Sequence, residues 1–134
     1  MSNDSTEQIR TFKEAVALIT GGASGIGAAL AKDLVRRGAT VILADRQFEA
    51  AQELANTLGD KAEAVTLDVR DADQFADVVQ TARERHGRID YFFNNAGLGS
   101  GGPVEAHALD DWRYTIDVNI LGVVYGVHAM LPIM

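Results

Sequence analysis

The stretch Thr20-Gly21-Gly22-Ala23-Ser24-Gly25-Ile26-Gly27 lies between an apolar run, Ala15 to Ile19, and an amphipathic run, Ala28 to Arg37. The first reads as a strand and the second as a helix, so the glycines make a tight turn into a helix N-terminus. Backbone N–H groups and the helix dipole at such a turn form an anion site, and phosphate is its natural guest. Gly21 can take a turn geometry closed to a residue with a Cβ, Gly25 lets a pyrophosphate approach the backbone, and Gly27 lets the helix lie close to the sheet. Taken alone the loop is equally compatible with a plain turn, and the residues downstream of it decide between the two.

A second apolar run, Thr40 to Ala44, ends in Asp45. That is about twenty residues beyond the loop, where a carboxylate can accept from both ribose hydroxyls of an adenosine. A third run, Ala64 to Leu67, ends in Asp68-Val69, and a fourth, Ile89 to Phe93, ends in Asn94-Asn95-Ala96-Gly97. Helical stretches near Gln47 to Leu58 and Ala72 to His86 separate them, each with one apolar stripe and a glycine stop, Gly59 and Gly87. Strands alternating with helices of this length predict parallel βαβ units, hence an α/β fold with ligand residues at the carboxyl ends of the strands.

These residues together resemble the short-chain dehydrogenase/reductase family. The matches are TGxxxGIG at Thr20 to Gly27, the acid Asp45, Asp68-Val69, NNAG at Asn94 to Gly97, and Asn119 within Asp117-Val118-Asn119; they span the chain from about Glu14 onward. The resemblance implies a Rossmann-type doubly wound parallel sheet of strand order 3-2-1-4, ending here after the fifth helix. It implies an NAD(P)-dependent oxidoreductase that interconverts alcohol and carbonyl groups. Cofactor contacts then fall to Gly21, Ser24, Gly25, Ile26, Gly27, Asp45, Arg46, Asp68, Val69, Asn94, Ala96 and Gly97. Asp68 would meet the adenine amino group, and Asn94, Ala96 and Gly97 the ribose. Asn95 is expected to tie neighbouring strands instead. Asn119 would belong to the catalytic set, holding a water in a proton relay; read from the residues alone it is equally a buried amide that breaks its helix locally.

The sequence departs from the family in one respect. Members carry Ser and Tyr-x-x-x-Lys downstream of the Asn, whereas the last serine here is Ser100 and the last lysine Lys61. The chain therefore reads as the amino-terminal half of the domain: residues 1–13 a flexible tail, 14–134 an incomplete NAD(P)-binding unit. It is expected to be inactive alone. A noncatalytic dinucleotide-binding or interaction module is the alternative; a methyltransferase-like fold with the same loop is disfavoured by NNAG and Asp-Val-Asn.

Asp45 favours NAD over NADP, because a 2′-phosphate within about 4 Å of it meets a repulsion of a few kcal/mol at an effective dielectric near 20. Arg46 could pair with such a phosphate, but stacking or solvent is the expected place for it. The net charge of −7 argues against nucleic-acid or anionic-membrane binding. The absence of cysteine removes disulfides and thiolate sites. No signal-like segment opens the chain and no run is expected to reach membrane-spanning length, so a cytoplasmic protein is expected; Asn3-Asp4-Ser5 is a chance sequon.

Gly99 to Pro103 reads as a flexible loop and a long helix is expected from about Asp110-Asp111, which would cap it. Trp112, Ile116, Asn119, Ile120, Val123, Val124 and Val127 share a stripe expected to face inward. By resemblance this helix also serves in homo-oligomers. His86, His107 and His128 fit no metal spacing and are assigned to capping or solvent, and Tyr114 and Tyr125 lack a neighbouring base in sequence. A small alcohol or carbonyl is the expected substrate, its identity unread.

Overall fold

The computed structural model describes residues 11–134. Most of the expected tail, with the Asn3-Asp4-Ser5 sequon, lies outside the described residues. Four strands form one sheet: β1 (Val16–Thr20), β2 (Thr40–Asp45), β3 (Ala62–Thr66) and β4 (Tyr91–Phe93). Their order is β3-β2-β1-β4 and every pairing is parallel, with Val16 opposite Thr40 and Ala17 opposite Tyr91. β1 is buried at all five positions, which explains its unbroken apolar run: a central parallel strand is covered on both faces.

Alternate residues of the strands feed two cores. Ala17, Ile19, Val41 and Leu43 pack under Ala31 and Leu34 of α1 (Gly25–Arg36) and Ala51 and Ala55 of α2 (Phe48–Leu58). Val16, Leu18, Ile42 and Ala44 pack under Phe75, Val79 and Ala82 of α3 (Ala72–His86), with Val118 and Met130 from the last helix. The sheet is thus doubly wound, as expected. α1 begins at Gly25 rather than Ala28, so Gly25 and Gly27 belong to its first turn. α3 is capped by Asp71, whose side chain accepts from the Gln74 N–H at 3.0 Å, and it stops at Gly87 with φ +78°.

The last helix departs most from expectation. α4 (Leu109–Ile116) and α5 (Gly122–Met130) are joined by a π turn, Asp117–Leu121. Asp111 accepts from the Ala108 N–H at 2.9 Å, the capping role foreseen for it. The face packed on the sheet is Val118, Gly122, Gly126 and Met130, while Trp112, Ile116, Ile120, Val124 and Val127 are exposed. The expected inward stripe is therefore mostly the outward one. The physical reason is the two glycines: a Cβ at Gly122 would stand 2.8 Å from Val69 Cγ2, and one at Gly126 2.8 Å from Phe92 Cζ. The backbone itself presses on the core, and a glycine face carries no hydrophobic signal.

The continuous helical stretch Leu109–Ile133 has 25 residues and a mean hydropathy of 1.5 in its most apolar window, long and apolar enough to cross a membrane by those measures. The expectation that no run reaches that length is corrected. Its glycine face, however, is a layer of the domain, docked on Val69, Phe75 and Phe92.

Candidate functional site

The carboxyl ends of all four strands open into one cleft of about 450 Å³. Gly21, Ser24, Gly25 and Ile26 line it from the loop after β1, Asp45 and Arg46 from the end of β2, and Leu67, Asp68 and Val69 from the segment after β3. Asn95, Ala96, Gly97 and Leu98 come after β4, and Tyr114 and Val118 come from the last helix.

The glycine loop is held by three different constraints. Gly21 has φ +65°, its N–H donates to the Ala44 carbonyl at 2.8 Å, and a Cβ there would reach Ala96 Cα at 3.0 Å. Gly25 has φ +56° and lines the cleft, but a Cβ on it would meet nothing within 4 Å. Gly27 does not line the cleft. A Cβ there would lie 2.3 Å from the Gly21 carbonyl oxygen and 2.8 Å from Asn95 Nδ2. Its smallness lets the helix close on its own loop; the expected contact with the sheet at large is replaced by this narrower one. Ser24 occupies the N-cap position in an extended conformation without a side-chain capping bond, and no acid sits in the first turn of α1. No acid of the helix itself therefore offsets the positive end of its dipole, although the Asp45 carboxylate lies beside it on the Ala23 N–H. Ile26, 79% exposed, stands at the rim with its apolar side chain uncovered.

Thr20, fully buried, locks the loop to the end of β4. Its Oγ1 accepts from the N–H groups of Asn95 at 3.0 Å and Ala96 at 2.9 Å. Asn95 Nδ2 in turn donates to the Thr20 carbonyl at 3.0 Å and the Gly21 carbonyl at 3.3 Å. Asn95 thus ties the strands, as expected, and also lines the cleft. Asn94 does not: its Nδ2 donates to the Val123 carbonyl at 2.8 Å, toward the last helix. Consecutive side chains at a strand end diverge, and Asn95 takes the cleft side.

Asp45 spans the mouth of the cleft. One carboxylate oxygen accepts from the Ala23 N–H at 3.0 Å and the other from the Gln47 N–H at 2.9 Å. Each oxygen can accept a further bond. Asp68 is held by Arg70, whose Nε and Nη2 donate at 3.0 and 2.7 Å and whose backbone N–H donates at 3.0 Å. The Arg70 guanidinium beside it keeps its carboxyl below the usual range, against a smaller opposing effect of burial. Arg70 also lies over the Tyr114 ring, 4.5 Å from its centroid, and the Tyr114 hydroxyl accepts from Arg46 Nη1. Arg46, placed by expectation in a stack or in solvent, is fastened to the last helix.

Asn119 sits in the π turn and is half-buried. Its Oδ1 accepts from the Leu98 N–H at 2.9 Å and its Nδ2 donates to the Leu98 carbonyl at 2.7 Å. Both of its polar groups therefore pin the loop after β4 to the helix, and the local break it was expected to make is present as a π turn. Among the described residues no group of three or more His or acidic side chains could hold a metal. His86 neither caps nor faces solvent: its Nε2 meets Glu63 Oε1 at 2.8 Å.

Sequence reasoning gave Thr20 and Tyr114 no part in the cleft. Thr20 stood in the quoted motif as its first letter, and its position at the end of a buried strand was the one signal for it. Nothing local to Tyr114 signals a partner 68 residues away.

A model of the short chain dehydrogenase family matches residues 15–134. The chain is 38% identical over 125 residues to an uncharacterized oxidoreductase of Listeria monocytogenes, covering 91% of this chain and 50% of the relative. It is 40% identical over 117 residues to 3-hydroxyacyl-CoA dehydrogenase type-2 of Drosophila melanogaster, covering 83% and 46%. A short chain dehydrogenase/reductase from Burkholderia phymatum, solved in complex with NAD, superposes with a TM-score of 0.87 at 36% identity, over 92% of this chain and 45% of that one. A 3-ketoacyl-(acyl-carrier-protein) reductase from Brucella melitensis, complexed with NADH, gives 0.87 at 32% identity, over 91% and 51%. The chain belongs to the short-chain dehydrogenase/reductase family and corresponds to its amino-terminal half. It spans about half the length of the curated relatives it matches.

Proposed function

We propose that the cleft binds NAD(H) and that residues 14–134 are the cofactor-binding part of an oxidoreductase interconverting alcohol and carbonyl groups. The observation that carries this reading is at Gly25, where the missing side chain leaves open space at the start of a helix with no acid in its first turn. A pyrophosphate fits such a cradle, since backbone N–H groups and the dipole both favour anions there. Bound nicotinamide would supply the hydride acceptor or donor. Gly21, Ser24, Gly25 and Ile26 are proposed to hold the phosphates, with Gly27 closing the loop behind them. Asp45 is proposed for the ribose, Asp68 and Val69 for the adenine end, and Ala96 and Gly97 for the second ribose.

Asn119 is proposed as the catalytic-set residue contributed here, holding a water while its own amide is fixed by Leu98. Within the 134 residues no lysine follows Lys61. A phenol with a pKa near 10 is a poor acid or base at neutral pH without a neighbouring cation to depress it, so this chain by itself is proposed to transfer no hydride. A small alcohol or carbonyl substrate, homo-oligomers and a cytoplasmic setting complete the proposal, each resting on family membership.

NAD is proposed over NADP because the Asp45 carboxylate, held by the Ala23 and Gln47 N–H groups, would repel a 2′-phosphate on the ribose proposed for it. Dissociation constants for the two cofactors at fixed ionic strength test this. Asp45→Ala should narrow the gap between them by about tenfold or more, given a repulsion of a few kcal/mol. Equal discrimination in both proteins would remove Asp45 from cofactor selection.

A further inference from the structure

Arg46 immediately follows the acid at the end of β2, and a guanidinium there could neutralise a 2′-phosphate and undo the discrimination by Asp45. The structure engages it elsewhere. Its Nη1 donates to the Tyr114 hydroxyl, and its Cζ lies 5.8 Å from the Tyr114 ring centroid. Tyr114 is itself anchored: Arg70 covers its ring at 4.5 Å while gripping Asp68 with two N–H groups. Among the described residues Arg46 forms no ion pair; its direct partner is the phenol, with the Asp68 carboxylate near enough to feel its charge.

We propose that Tyr114 is a positioning residue for cofactor selectivity: it holds the Arg46 guanidinium against the last helix, away from the ribose position that Asp45 serves. This rests on the dinucleotide reading of the cleft. Losing the phenol hydroxyl releases one end of Arg46, which then swings to whatever anion the cleft offers. A 2′-phosphate is such an anion and a 2′-hydroxyl is not. Tyr114 thereby favours NAD(H) without touching the group it discriminates against.

The test is a set of four proteins, wild type, Tyr114→Phe, Arg46→Ala and the double variant, titrated with NADH and NADPH by cofactor fluorescence at fixed ionic strength. Tyr114→Phe is expected to tighten NADPH about fivefold to tenfold, the scale of one charge-assisted bond, while NADH shifts less than about twofold. Arg46→Ala should cost NADPH less than about twofold in the wild-type background and cancel the gain in the Tyr114→Phe background, the signature of coupled residues. A merely structural tyrosine would lower the melting temperature and both affinities together, and an unchanged NADPH/NADH ratio would overturn the proposal. Should Tyr114→Phe fail to fold, Arg46→Ala alone decides, because a loss of NADPH affinity of about tenfold in the wild-type background means that Arg46 already serves the phosphate. A folded wild-type protein that binds neither dinucleotide overturns the cofactor reading itself, and this inference with it; an unchanged ratio in a protein that binds NADH overturns only the role of Tyr114.

Discussion

Gly25 and Gly27 stand two residues apart in one motif and do different work. At Gly27 an added Cβ strikes a backbone carbonyl 2.3 Å away, which cannot rotate aside, so Gly27→Ala should destabilise the fold by about 2–3 kcal/mol, the range of overpacked sites. At Gly25 the space is open and only the φ of +56° resists, so Gly25→Ala should cost about 1–2 kcal/mol and leave a folded protein. That protein should nevertheless bind dinucleotide more weakly, because the new methyl occupies the phosphate cradle. Melting curves and an NADH titration separate the two outcomes. Asp68 offers a second test. Its folded pKa is depressed, chiefly by Arg70, so its ion pair contributes stability above the unfolded value of 3.8 that is lost as pH falls through the folded pKa. Asp68→Asn should lower stability at pH 7 by less than about 1 kcal/mol, given a half-exposed pair. The difference from wild type should shrink as the pH drops below 3.8, read as melting temperature against pH.

Among the elements, the strands and the first three helices follow their sequence periodicity because each has a side-chain stripe to bury. α3 falls at Ala72–His86 as expected, its ends fixed by Asp71 and Gly87. The α4–α5 helix misleads because its buried face is made of absences. Gly126 lies under Phe92, Phe75 and Asn94, where a Cβ would sit 2.8, 2.9 and 3.0 Å from their terminal atoms. The two phenyl rings pack edge to face and have little room to retreat. Gly126→Ala should therefore destabilise by about 1–3 kcal/mol, despite the better helix propensity of alanine. A chemical denaturation curve with the reverse sign would mean that the helix rides higher on the sheet than it does here.

At the scale of the molecule, two surfaces remain open. β4 borders the sheet with no further strand beside it among the described residues, and the last helix exposes Trp112, Ile116, Ile120, Val124 and Val127 along one face. Unpaired edges and contiguous apolar faces drive association. The chain should self-associate at micromolar concentration, and the combination Ile120→Lys with Val124→Lys, both at exposed positions, should shift it toward monomer without lowering its melting temperature. Sedimentation velocity at several concentrations gives the answer, and a wild-type monomer throughout would show that the helix face is not sticky in isolation.

The sequence by itself determined the order of strands and helices, the glycine loop, the acid at Asp45 and the family, because those features are written in side-chain periodicity and in residues whose chemistry is local. Only the tertiary structure decided which face of the last helix turns inward, that Asn95 rather than Asn94 lines the cleft, and that Asn119 clamps Leu98. It alone revealed that Arg46 and Arg70 meet at Tyr114. Those are contacts between segments distant along the chain, and at the last helix the deciding atom is a glycine Cβ that is not there. Spacing along a sequence records what a residue carries; close approach depends on what its neighbours in space leave room for.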